Sequence, residues 1–147
     1  MDAAVREAIF AATAEEPFAR ALGMRLVHLE DGHSVVAMAY RPAQMANIYR
    51  RAHGGALFAL IDEAFETASQ TAGTVAVALN VNVTYVTSPE GAVELRAEAR
   101  RVSQTRRTAA YEIRVTDVDE RLIAVCQALA YRTGRPIPFL DRKPGAD

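Results

Sequence analysis

His53-Gly-Gly-Ala-Leu-Phe-Ala-Leu-Ile-Asp-Glu-Ala-Phe-Glu-Thr-Ala-Ser-Gln-Thr-Ala72 is the stretch on which the fold turns. Leu57, Leu60, Ile61, Ala64, Phe65 and Ala68 recur at helical spacing and Gly73 supplies a stop, so 53–72 predicts one long apolar helix. The period then changes. From 75 to 86, Val75, Val77, Leu79, Val81, Val83 and Tyr85 alternate with Ala76, Ala78, Asn80, Asn82 and Thr84, which is strand patterning. After the Pro89-Glu90-Gly91 turn, 93–102, 107–118 and 121–132 predict three further strands. Upstream, Asp2 can cap a helix running to about residue 16, with Val5, Ile9 and Phe10 on one side and Pro17 as its end. Residues 18–22 make a short turn or half-helix before Gly23. Segments 24–30 and 34–40 predict strands around an Asp31-Gly32 hairpin, and 42–51 an irregular loop.

One long helix among six antiparallel strands has one natural packing, in which the sheet curls around the helix. The fold class is therefore α+β, a single domain over 1–147. It divides into an N-terminal helix (1–17), a core (18–133) and a tail (134–147) whose three prolines suggest that it is loosely held. Such a sheet has two edges, and a Val-rich edge invites a second subunit.

Composition narrows the function classes. The 147 residues carry a net charge of −1, which gives no global field for nucleic acid or an anionic membrane. All but Lys143 of the 17 basic residues are arginine, and a solvated arginine surface accounts for that. The uncharged run 67–89 contains Gln70, Gly73, Asn80 and Asn82, unsuited to a membrane helix. The start has acids where a signal peptide has bases, and Cys126 is the only cysteine, so a reduced, cytoplasmic setting is expected. His28, Asp31 and His33 around the hairpin lack the ligand set of a metal site, so no metal and no cofactor are expected. Cys126, in an apolar strand with nothing basic nearby, reads as a buried inert thiol.

Chemistry concentrates at the long helix. Gly54-Gly55 stands at its start, where the first amides lack intrahelical acceptors and sit at the positive end of the dipole. Two glycines there either let a ligand oxygen approach the backbone, forming an oxyanion site, or merely permit a tight turn into the helix. Asp62, eight residues on, falls at the margin of the apolar face between Phe58, Phe65 and Glu66. It reads either as a base or nucleophile of raised pKa or as a boundary acid facing water. Glu63, Glu66 and Gln70 fall together on the polar face and are expected to be solvated. Met45, Tyr49, Phe58 and Phe65 can line a pocket or fill the core.

Asn47, six residues before His53-Gly54-Gly55, together with Asp62, nine after His53, resembles the signature of the hot-dog-fold acyl-CoA thioesterases of the phenylacetate-pathway (PaaI-like) type. The similarity extends through Leu57-Phe58, Ala64-Phe65, Val81-Asn82-Val83-Thr84-Tyr85 and Tyr131-Arg132, about residues 18–133. The resemblance implies hydrolysis of acyl- or aryl-CoA thioesters without metal or cofactor. It implies that the Gly54 N–H and the Asn47 amide hold the thioester carbonyl oxygen, with Gly55 beside them. Asp62 would act from the partner subunit as base or nucleophile, and His53 would order the loop. The resemblance further implies homodimers joined through the strand after the helix into a twelve-stranded sheet, many of them stacked into tetramers. Apart from the resemblance, Phe58 and Phe65 are candidate substrate contacts, and Arg106, at the turn of the basic cluster Arg96, Arg100, Arg101, Arg106 and Arg107, is the candidate for a coenzyme A phosphate. Four positions depart from the family pattern: Arg50 where glycine is usual, Ala78 where one branch has serine, and Thr105-Arg106 where Gly-Lys is frequent.

A non-catalytic acyl-CoA-binding or regulatory module on the same fold is the alternative, and Asp62 separates the two, because a binder needs no carboxylate aimed at the carbonyl. A hydratase would carry a histidine–acid helix signature that is absent. A nucleic-acid module is disfavoured by arginines interleaved with acids, as in Glu94-Leu-Arg96-Ala-Glu98-Ala-Arg100.

Overall fold

Asp2 opens the first helix by accepting the Val5 N–H at 3.1 Å, which satisfies one of its free amides. In the computed structural model, which describes residues 1–140, this is α1 (Ala3–Glu15). Pro17 does not only stop it. It starts α2 (Pro17–Leu22), where a missing N–H costs nothing in a first turn. Then come β1 (Met24–Glu30), β2 (His33–Tyr40), α3 (Pro42–Met45), α4 (Gly54–Ser69), β3 (Thr74–Tyr85), β4 (Val93–Gln104), β5 (Thr108–Thr116) and β6 (Leu122–Pro136). The β1–β2 turn requires Gly32, which sits at φ 67 with the Arg101 side chain against it; a Cβ there would lie 2.7 Å from Arg101 Cζ.

The six strands form one antiparallel sheet in the order β1-β2-β4-β5-β6-β3. Registered rows cross it, one of them Leu26–Val36–Ala97–Val115–Ala124–Tyr85 and another Leu29–Ser34–Ala99–Ile113–Cys126–Val83. Ala97 and Ala99 on β4 are fully buried, and such small side chains leave room for Leu60, Ile61, Ala64 and Phe65 of α4. A buried polar latch fixes the helix: the Ser34 hydroxyl donates to the Ala64 carbonyl at 2.7 Å and the Thr67 hydroxyl lies 3.0 Å from Ser34 Oγ. Val5, Ile9, Leu29 and Ile137 form a second, smaller core under α1.

Three expectations are corrected. The long helix ends at Ser69 rather than near Ala72, because Thr71 Oγ1 turns back to donate to the Ala68 carbonyl and accept the Gly32 N–H. The 42–51 loop contains the turn α3, and an Ala46–Ala52 bridge closes it. The tail is not loose through Leu140: β6 extends to Pro136, the Ile137 N–H donates to the Gly73 carbonyl, and Ile137 is buried. The rest of that expectation, 141–147, lies outside the described residues.

Candidate active site

The loop before α4 is built around one side chain. Asn47 Oδ1 accepts the Tyr49 N–H at 2.9 Å and the Arg51 N–H at 3.1 Å. The carbonyl half of this amide is thereby committed to the loop, and the Nδ2 half is left to donate elsewhere. Arg50, between those donors, adopts φ 58, the left-handed region in which glycine is unstrained and other residues cost about 1–2 kcal/mol. Arg50→Gly is expected to stabilise the fold by ~1 kcal/mol after the extra freedom of the unfolded chain is subtracted. The melting temperature should rise by ~3 °C.

His53 caps α4: its Nδ1 accepts the Gly55 N–H at 2.9 Å, so in the neutral ring the proton sits on Nε2. Gly55 is thus occupied by the cap. Among the described residues nothing accepts from the Gly54 N–H. Gly54, Asn47, Ala52, Leu57, Tyr85 and Ser88 line a cleft of ≈ 320 Å³. Tyr85 is a functional candidate that reasoning from sequence missed. Its hydroxyl donates to the Gly54 carbonyl at 3.1 Å, and a Cβ on Gly54 would meet its ring at 3.2 Å. The signal was its place at the end of the alternating 75–86 run. Ser88 Oγ accepts the Ala52 N–H, and Arg121 reaches Asp117, Glu90 and the Ser88 carbonyl, which braces the far wall.

Asp62 is exposed and does not line this cleft. It lies eight positions after Gly54 on α4, about 12 Å along the axis. Partial burial raises its carboxyl. Burial pushes the Cys126 thiol up to about 11, which keeps it protonated and unreactive near neutral pH.

Glu63 and Gln70 overturn the expected solvated face. Glu63 is 4% exposed and Gln70 is buried as well. Burial first, then the charges of Glu16 and Glu66, push the Glu63 carboxyl up to about 8. Glu66 is exposed at its surface, and burial followed by Glu16 and Asp62 raises its carboxyl too.

Phe58 and Phe65 part company. Phe65 is buried in the core, its ring edge-on to Tyr111 at 5.3 Å between centroids, so the expectation that it contacts substrate is corrected. Phe58 lies at the surface. Met45 is core, and Tyr49 is exposed on the loop. Arg106 is exposed at the β4–β5 turn, beside Arg107, which donates to the Tyr131 hydroxyl, and Arg132, which donates to the Thr105 carbonyl. The Arg96 and Arg100 pairs run along β4 to Glu94 and Glu98, rather than across strands. His28, Glu30 and His33 cluster at the hairpin, where His33 Nε2 is already 2.9 Å from Glu98.

Residues 49–124 match the thioesterase superfamily. The acyl-coenzyme A thioesterase PaaI of Escherichia coli is 31% identical over 119 residues, 81% of this chain and 84% of that protein. Its structure superposes with a TM-score of 0.86 over 91% of this chain and 96% of that one. A Thermus thermophilus structure is 38% identical, with a TM-score of 0.76 over 80% and 98% of the two chains. A Streptococcus mutans protein solved bound to acetyl CoA is 27% identical, with a TM-score of 0.73 over 78% and 91%. The chain belongs to the thioesterase superfamily and has the hot-dog fold of the PaaI-like structures.

Proposed function

We propose that two copies of this chain hydrolyse acyl- or aryl-CoA thioesters to the free acid and CoA at two equivalent sites. The carrying observation is the pair of unspent donors, Gly54 N–H and Asn47 Nδ2, on one cleft, with the only motif carboxylate about 12 Å away on the same helix. The donors hold the carbonyl oxygen as it gains charge. Asp62 of a second copy either takes a proton from a water whose oxygen attacks the carbonyl, or attacks the carbonyl itself to give a mixed anhydride that water then hydrolyses. By either route the C–S bond breaks, the thiolate takes up a proton from water or from the Asp62 carboxyl, and free acid and thiol leave.

The two sheet edges support the pairing. β1 carries Arg25, His28 and Glu30 and is broken by a bulge between Leu26 and His28. Among the described residues β3 pairs with β6 alone; it too is irregular, at Thr74/Ala76 and Ala78/Asn80, but it has no charged residue, and Val77 is 50% and Leu79 58% exposed. A long apolar edge of this kind is covered in a stable protein. Arg106 fits the same scheme. Its turn lies by Tyr131, which pairs with Val77, whereas the cleft lies by Tyr85, about 26 Å along β3. An antiparallel β3–β3 contact brings Arg106 of one copy toward the cleft of the other, where a coenzyme A phosphate would sit.

Initial rates of thiol release from short-chain, long-chain and aromatic acyl-CoAs test the reading, with binding measured alongside. Binding without cleavage across the panel would replace the enzyme by an acyl-CoA-binding module. Asn47→Asp should keep both accepted loop bonds and lose the donor. Turnover should fall about a hundredfold or more with the melting temperature held, and an unchanged kcat would remove Asn47 from the site.

A further inference from the structure

Glu16, between α1 and α2, and Glu63 and Glu66, one turn apart on α4, bring carboxylate oxygens within 4.8 Å of one another. Glu63 is 4% exposed, and its Oε1 has no hydrogen-bond partner. Among the described residues no arginine or histidine pairs with any of the three; Arg20, the nearest in sequence, is 3.5 Å from Glu15. An ionised carboxylate buried without a partner is strongly unfavourable, so Glu63 is neutralised either by a proton or by a bound cation.

The spacing says what fits. Oxygens held 2.3–2.6 Å from one calcium ion lie no more than about 5 Å apart, which the three carboxylates satisfy. The donor set is all carboxylate, which favours a hard cation over zinc or copper. Glu63 forms the floor, while Glu16 is half-buried and Glu66 exposed, leaving the rim open to water ligands. We infer that Glu16, Glu63 and Glu66 form a site for a hard divalent cation that pins the α1–α2 corner to α4. It adjoins Asp62 in sequence but is separate from the Gly54 cleft, and its role is structural.

The test starts from chelator-treated full-length protein titrated with Mn²⁺, read by loss of the free-ion paramagnetic resonance signal. Ca²⁺ and Mg²⁺ follow by calorimetry and thermal melting. One ion per chain and a saturating rise in melting temperature are expected. Glu63→Gln should abolish binding, and Glu16→Gln, at the less buried corner, should weaken it by roughly tenfold or more. Absence of saturable binding by wild type at millimolar concentrations of all three ions would overturn the site. So would full binding by a folded Glu16→Gln protein. Stability that responds to pH but to none of the ions would also overturn it, leaving a proton as the group that neutralises Glu63.

Discussion

Asp62→Asn is expected to remove nearly all thioester hydrolysis while acyl-CoA still binds. The substitution is almost isosteric, and the side chain is exposed in the single chain, so the fold loses nothing. What disappears is the group that takes a proton or attacks. Losing a positioned general base lowers turnover by about a hundredfold to ten-thousandfold. Among the described residues the Cys126 thiol is buried and held protonated, and no serine hydroxyl is hydrogen-bonded to a histidine or a carboxylate. The measurement is kcat on the best substrate of the panel, with binding by calorimetry. A wild-type rate in the Asn protein would withdraw Asp62 from the chemistry.

The second large effect belongs to the β3 edge. Leu79→Arg places a charge on a side chain already 58% exposed, so the single chain should fold normally. Within a β3–β3 contact each new arginine would bring an unpaired charge into the seam and oppose strand pairing. Sedimentation should show a 16.0 kDa monomer, and thiol release should fall to the level of the Asp62→Asn protein. A monomer that hydrolyses at the wild-type rate would show that each chain holds a complete site, ending the shared-site proposal. Wild type sedimenting as a stable monomer at micromolar concentration would do the same.

Much of this architecture is legible from patterning. Period and punctuation alone place α4, the Asp31-Gly32 hairpin and the strand run, because each buries one face against the same core. What they miss depends on contacts made from elsewhere in the chain. Glu63 shares a helical face with Glu66 and Gln70, and nothing in α4 itself discloses that Glu16 arrives over that face. Phe58 and Phe65 look equivalent on a helical wheel until Tyr111 takes one ring into the core. At the cleft, Gly54 and Asn47 are visible as a motif. That Asn47 spends its oxygen on the loop and keeps only its nitrogen is a property of folded geometry. Tyr85 escapes notice because its partner is a backbone carbonyl, which sequence cannot single out.

On the proposed β3 pairing, the charged β1 margin would also limit the stoichiometry. Pairing through β3 would use the uncharged margin of both copies at once, and what remained outward would be β1 on each side, bent by its bulge and studded with Arg25, His28 and Glu30. Ribbon growth along the sheet would then terminate after a single addition. A larger assembly would have to add copies through faces rather than margins. A chain stripped of those three polar guards and of the bulge would have two adhesive sides and no stop, the geometry of an open-ended fibre.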